Sequence, residues 1–206
     1  MNSGQTNSSN QFSDQNSSPF LGQSYPKVDL HRHLEGTVRL STLKELAPQV
    51  GIDVPPNALE CAEKFLITKP MTDLAAVLQK FLRTQSVLAS EEILSRITYE
   101  AIEDAVSEGV RILELRYAPI YILKGHSKNL NCEKIMRAII KGTQLASNLP
   151  ISVGFIGIIQ RTRPIKESEK VMDFITEHRE HFLAVDLADD EEGFPSRPFV
   201  KVFEKA

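Results

Sequence analysis

Residues 25–37 read Tyr-Pro-Lys-Val-Asp-Leu-His-Arg-His-Leu-Glu-Gly-Thr. Apolar and polar side chains alternate from Lys27 to His33 before the chain meets Gly36, which predicts a strand that ends in a turn. Side chains two apart on a strand project from one face. His31 and His33 therefore point the same way, and Asp29 shares their face. Downstream of this strand, short apolar runs alternate with longer segments of helical period, the βαβα pattern of a parallel sheet covered by helices. The expected class is α/β.

The spacing predicts the remaining elements. Thr42-x-x-Glu45 reads as a capping box opening a short helix that Gly51 closes. Residues 52–70, which carry Pro55, Pro56 and Pro70, read as a loop-rich excursion. Thr72 is the expected cap of a helix whose apolar positions Leu74, Val77, Leu78 and Phe81 follow i, i+3, i+4, i+7. Ser90, followed by Glu91 and Glu92, opens a third helix that stops at Gly109. A second strand over Val110–Tyr117 precedes Pro119 and a helix over Asn131–Ser147. The third strand, Ile151–Ile159, is apolar almost throughout, as expected when both faces are buried. A helix over Ile165–His181 and a strand over Phe182–Leu187 make up the fourth β/α unit.

The 206 residues hold 24 Lys and Arg against 27 Asp and Glu, for a net charge of -3. That balance excludes a basic nucleic-acid footprint. No apolar run reaches the ~18 residues of a membrane-spanning helix. Cys61 and Cys132 fit neither a CxxC pair nor a disulfide-stapled scaffold, so a reducing, cytoplasmic setting is expected. Residues 1–24 are dominated by Asn, Ser and Gln and contain no Lys or Arg. They read as a disordered polar tail and not as a targeting peptide, leaving residues 25–206 for one domain.

The chemistry concentrates on His31 and His33. Two imidazoles on one strand face, at its carboxyl end, can share an ion at Zn–N distances of about 2.0–2.1 Å. HxH alone is a weak motif, because two histidines one residue apart also occur by chance. Two further segments add context. Glu114-Leu-Arg-Tyr-Ala-Pro119 ends the second predicted strand, and Val185-Asp-Leu-Ala-Asp-Asp-Glu191 ends the fourth. With residues 25–37 they resemble, in order, the PKxELHxHLxG, ExRYxP and DLAGDE segments of the adenosine deaminase family of zinc-dependent aminohydrolases.

The resemblance implies a (β/α)8 TIM barrel, of which about the first four units are present here. It also implies one Zn2+ and hydrolytic removal of the 6-amino group of adenosine or a related purine nucleoside or base. On this pattern His31 and His33 are zinc ligands, and His33 also borders the substrate. Glu35 takes the place of an acid that contacts the ribose hydroxyl, where adenosine-specific members usually carry Asp. That departure keeps adenine and modified nucleosides open as substrates. Asp189 stands where the family has a glycine whose backbone N–H meets the purine. The helix bearing Leu74, Val77, Leu78 and Phe81 matches an apolar lid of the family, although such periodicity by itself more often marks plain core.

The third histidine, the catalytic glutamate and the later Asp pair of the family have no counterpart after Asp189. Four units in roughly 180 residues are half a barrel of about 250. The expectation is a truncated portion of a longer deaminase, inactive in isolation. The competing expectation is a non-catalytic fragment or oligomerisation partner acting through open sheet edges. His126, His178 and His181 read as ordinary surface histidines, Asp29 as a hydrogen-bonded interior carboxylate, and Glu114 and Arg116 as charges paired with each other or with neighbours inside the barrel. The acids from Asp189 to Glu192 read by default as a solvated loop.

Overall fold

The computed structural model describes residues 25–123 and 129–206. The proposed tail, residues 1–24, and His126 lie outside the described residues. Four strands form one sheet in the order β1-β2-β3-β4: Lys27–His33, Val110–Tyr117, Ser152–Gln160 and Ala184–Ala188. Every neighbouring pair is parallel. The strands come in chain order, each joined to the next across a helical layer, which is the winding of a β/α barrel. β1 and β4 are its two open edges.

The helices are α1 (Leu40–Leu46), α2 (Ala58–Phe65), α3 (Leu74–Gln85), α4 (Glu91–Ser107), α5 (Pro119–Leu123), α6 (Cys132–Leu145), α7 (Ile165–Glu177) and α8 (Val200–Phe203). The main core lies between the sheet and α4 and α6, where Leu113, Leu115 and Tyr117 of β2 meet Ile97, Ile102, Ile135 and Ile139. A second cluster joins Ile159 of β3 to Val171, Met172 and Ile175 of α7. Leu113, Leu115 and Tyr117 of β2 thus enter the helix-side core, and Ile112, Glu114 and Arg116 fall on the opposite, inner face.

Several local expectations are corrected. The Thr42 box does not open α1, whose N-cap is Arg39. Thr42 lies inside the helix, and its buried hydroxyl donates to Glu100 Oε2 at 2.7 Å. A partner on α4 satisfies that hydroxyl better than the orphan amides of a first turn. Residues 52–70 are not all loop: Asn57 caps α2 through its side chain, placing Cys61 and Phe65 in the core. Asp73, not Thr72, caps α3 by accepting from Ala76 N–H at 2.8 Å. The helix before β4 ends at Glu177 and tightens into a 3-10 turn over Arg179–His181.

Candidate active site

β1 delivers the histidine pair. Its pairing with β2 shifts register between Asp29 and Arg32, a bulge-like irregularity at the strand's carboxyl end. There the Nε2 atoms of His31 and His33 stand 3.2 Å apart. Tetrahedral bonds of about 2.0–2.1 Å place two nitrogens of one zinc shell about 3.3–3.4 Å apart. The pair therefore fits two positions on one ion. Among the described residues no third His, Cys, Asp or Glu joins them in a metal-sized cluster. Burial first, then the neighbouring His31 and the Arg116 guanidinium, hold the His33 imidazole down to about 4, against the opposing pull of Asp186. His33 is therefore neutral near pH 7, the form that ligates metal.

Asp29 does not join the pair. Its carboxylate accepts from the His31 backbone N–H at 3.1 Å and from Arg32 Nε at 2.7 Å. Its expected role as a hydrogen-bonded carboxylate holds, with the partner supplied by the same bulge. Arg116 does not pair with Glu114. It reaches across the inner face to Asp186 of β4 at 2.5 Å and donates to the Leu30 carbonyl at 2.8 Å. One guanidinium thus ties β1 and β4 to β2 beside His33.

Glu35 follows in a 3-10 turn over Leu34–Gly36 and is only 2% exposed. Its Oε1 accepts from Ala118 N–H at 2.7 Å, which fixes the turn after β1 to the end of β2. Its Oε2 is buried without a partner. Desolvation pushes this carboxyl up to about 7, against the pull of the Ala118 amide.

The carboxyl ends of the strands and the wall formed by α3 enclose a cavity of about 220 Å³. His33, Glu35 and Ala118 line one side of it, and Leu74, Val77, Leu78 and Phe81 line the α3 wall. Leu74 is 46% exposed, so this helix face is a pocket wall, not plain core. Its seating depends on Gly36: a Cβ there would lie 3.0 Å from the Phe81 ring, which packs edge-on against His33 at 5.6 Å. The volume falls below the ~300–1,000 Å³ of complete small-molecule sites, as expected of a cavity walled on one side of a barrel.

The far side is formed by Ile158 and Gln160 of β3 with Ala188 and Asp189 at the end of β4. Asp189 has φ +91°, alone among the described non-glycine residues in the positive region. The backbone thus takes a conformation suited to glycine, which Asp tolerates better than most residues. Its carboxylate is engaged by Gln160 Nε2 at 3.3 Å, by the Thr162 hydroxyl and by the Asp190 N–H. Asp189 is thus tied in place, while Glu191 and Glu192 beyond it are exposed, in line with the expected solvated loop. His178 and His181 precede β4, at the opposite end from the pocket, where His178 meets the Phe174 ring and His181 lies 3.6 Å from Glu180.

Gln160 and Tyr121 were not among the expected site residues, and both line the cavity. Gln160 carried a legible signal, since it is the polar end of an otherwise apolar strand. Tyr121 carried none, because α5 is too short for periodicity to orient it.

A curated adenosine deaminase from Yersinia enterocolitica is 36% identical over 183 residues, covering 88% of this chain and 54% of its own length. Among solved structures, adenine deaminase from Arthrobacter aurescens superposes with a TM-score of 0.76 at 23% identity, covering 88% of this chain and 54% of that one. An amidohydrolase from Burkholderia ambifaria with bound zinc gives 0.74 at 24%, covering 89% and 49%. Arabidopsis ADAL complexed with GMP gives 0.70 at 25%, covering 88% and 54%. The chain spans about half the length of the relatives it matches. The profile of the family described as adenosine deaminase matches residues 26–206, and the chain belongs to that family.

Proposed function

We propose that this chain carries the histidine-pair side of a zinc-dependent site that hydrolyses adenosine to inosine and ammonia. The observation that carries the reading is the 3.2 Å separation of the His31 and His33 Nε2 atoms at the edge of a cavity shared by His33, Glu35 and Asp189. A bound zinc ion would supply a water with its pKa lowered to about 7. His31 and His33 would hold the ion, with His33 neutral at that pH. The α3 wall excludes water from the purine ring, the Asp189 backbone offers a donor to the ring, and Glu35 Oε2 takes the sugar hydroxyl. No helix among the described residues is long and apolar enough to cross a membrane, and we place the activity in the cytoplasm.

Two ligands from the described residues fall short of the three a catalytic zinc centre uses. The 206-residue chain alone is therefore expected to be inactive, and the remaining ligands and the proton-transferring glutamate must come from further β/α units. The test is reconstitution with the complementary half of a relative's barrel, followed spectroscopically as adenosine loss. Zinc-dependent turnover that vanishes with His31→Ala supports the reading, and turnover indifferent to zinc and to His31 rejects it. Adenine is the second substrate reading: Glu35 is one methylene longer than Asp, and one of its oxygens is already taken by Ala118.

A further inference from the structure

We propose that Gln160 determines ligand specificity in the cavity, its amide oxygen accepting a hydrogen bond from an amino or ring N–H group of a purine-type ligand. The inference rests on the purine reading above and adds a residue to it.

Gln160 is 7% exposed and closes β3 facing the cavity. Its Nε2 donates to Asp189 Oδ2 at 3.3 Å, and its Oε1 is buried with no partner. The amide orientation is set by chemistry. The Asp189 carboxylate only accepts, so turning the amide over would place oxygen against oxygen. The Thr162 hydroxyl donates to the same Asp189 oxygen, and the positive φ of Asp189 aims the carboxylate back at β3. Asp189 and Thr162 thereby present Gln160 Oε1 as an acceptor.

A buried acceptor left empty is unfavourable, and native proteins leave few of them. Here a second one, Glu35 Oε2, lines the same cavity. The Gln160 oxygen can only accept. A ligand edge that carries an N–H donor satisfies it, and an edge offering only ring nitrogens or a carbonyl leaves it desolvated and unpaired. The site thus selects by the cost of an unmade bond, which discriminates more sharply than apolar fit.

The test uses the 206-residue chain and equilibrium dialysis with purine riboside, adenosine and 2-aminopurine riboside. The first lacks an exocyclic amino group and the other two carry one. At least one amino-bearing nucleoside is expected to bind about five- to tenfold more tightly than purine riboside. Gln160→Leu should bring it down to the purine riboside level. Asp189→Asn keeps Gln160 but no longer fixes which way its amide points, since an Asn amide both donates and accepts; it tolerates positive φ and should lose part of the preference. It also carries the test if Gln160→Leu fails to give a folded far-UV spectrum. Equal binding of all three by the wild type, or a preference unchanged in the variants, overturns the role of Gln160 while leaving the purine reading intact. Binding of none overturns both.

Discussion

Arg116 on β2 spans β3 to bring its Nη1 within 2.5 Å of Asp186 Oδ2 on β4. The Arg116 side chain is 9% exposed and that of Asp186 29%. Removing one member of such a pair leaves the other charge uncompensated in a partly desolvated site. Arg116→Met is therefore expected to destabilise the fold by about 2–4 kcal/mol, toward the low side for a buried pair because Asp186 keeps some solvent. Arg116→Met combined with Asp186→Leu should recover much of the loss. Urea unfolding of both variants measures this, and a double variant less stable than Arg116→Met would show that the pair itself is not the source.

Glu35 makes stability depend on pH in a defined direction. Burial pushes its carboxyl up to about 7 from the ordinary 4.5. Below 4.5 both states are protonated. Between 4.5 and 7 the unfolded chain loses the proton while the native state keeps it, so stability falls as pH rises through that window. The loss is about 3 kcal/mol by the constant of 1.36 kcal/mol per pH unit. Glu35→Gln removes it. The wild type should lose about that much relative to the variant between pH 4 and pH 8, measured by thermal or urea melts. Parallel profiles would mean that Glu35 is ionised and solvated near neutrality.

The histidine pair should bind one zinc ion per chain, weakly, because two protein ligands leave the shell incomplete. His31→Ala and His33→Ala should each weaken binding at least about tenfold, since even outer-shell partners contribute that much. Competition against a chromophoric chelator measures it. Affinity unchanged in both variants would locate the ion elsewhere.

Much of this architecture was legible because it repeats. The alternation around His31, the apolar run of β3, the Ser90 helix start and the helical stretch after Asn131 each state their structure locally, and all of them held. The site divides differently. That the imidazoles converge follows from strand period, and the positive φ of Asp189 was foreshadowed by the family glycine it replaces. Arg116 takes the interior-neighbour option of its two expected partners: proximity to Glu114 on the same strand is visible in sequence, while a partner 70 residues away on β4 cannot be named from it. Thr42 was misassigned for the same reason: a capping box and a buried hydroxyl awaiting Glu100 look alike until α4 is in place. Burial at Glu35 and Gln160 is a property of the closed pocket, which no local pattern encodes.

The open edges bear on behaviour in solution. Val28 and Leu30 on β1 are 56% and 55% exposed, and Ile112 on the inner face of β2 is 49% exposed. An edge strand with unpaired backbone groups flanked by bare apolar side chains is a template for pairing with another chain. The isolated chain should therefore self-associate with rising concentration. Val28→Lys with Leu30→Lys should suppress this, because lysines on an edge strand carry charge into any strand-strand contact. The Leu30 carbonyl that receives Arg116 is backbone and survives the change, so the fold should remain. Sedimentation velocity across a concentration series decides it: the wild type shifts to larger species and the double variant stays monomeric. If the wild type sediments as a monomer throughout, the exposed edge and inner face are less adhesive than their side chains indicate.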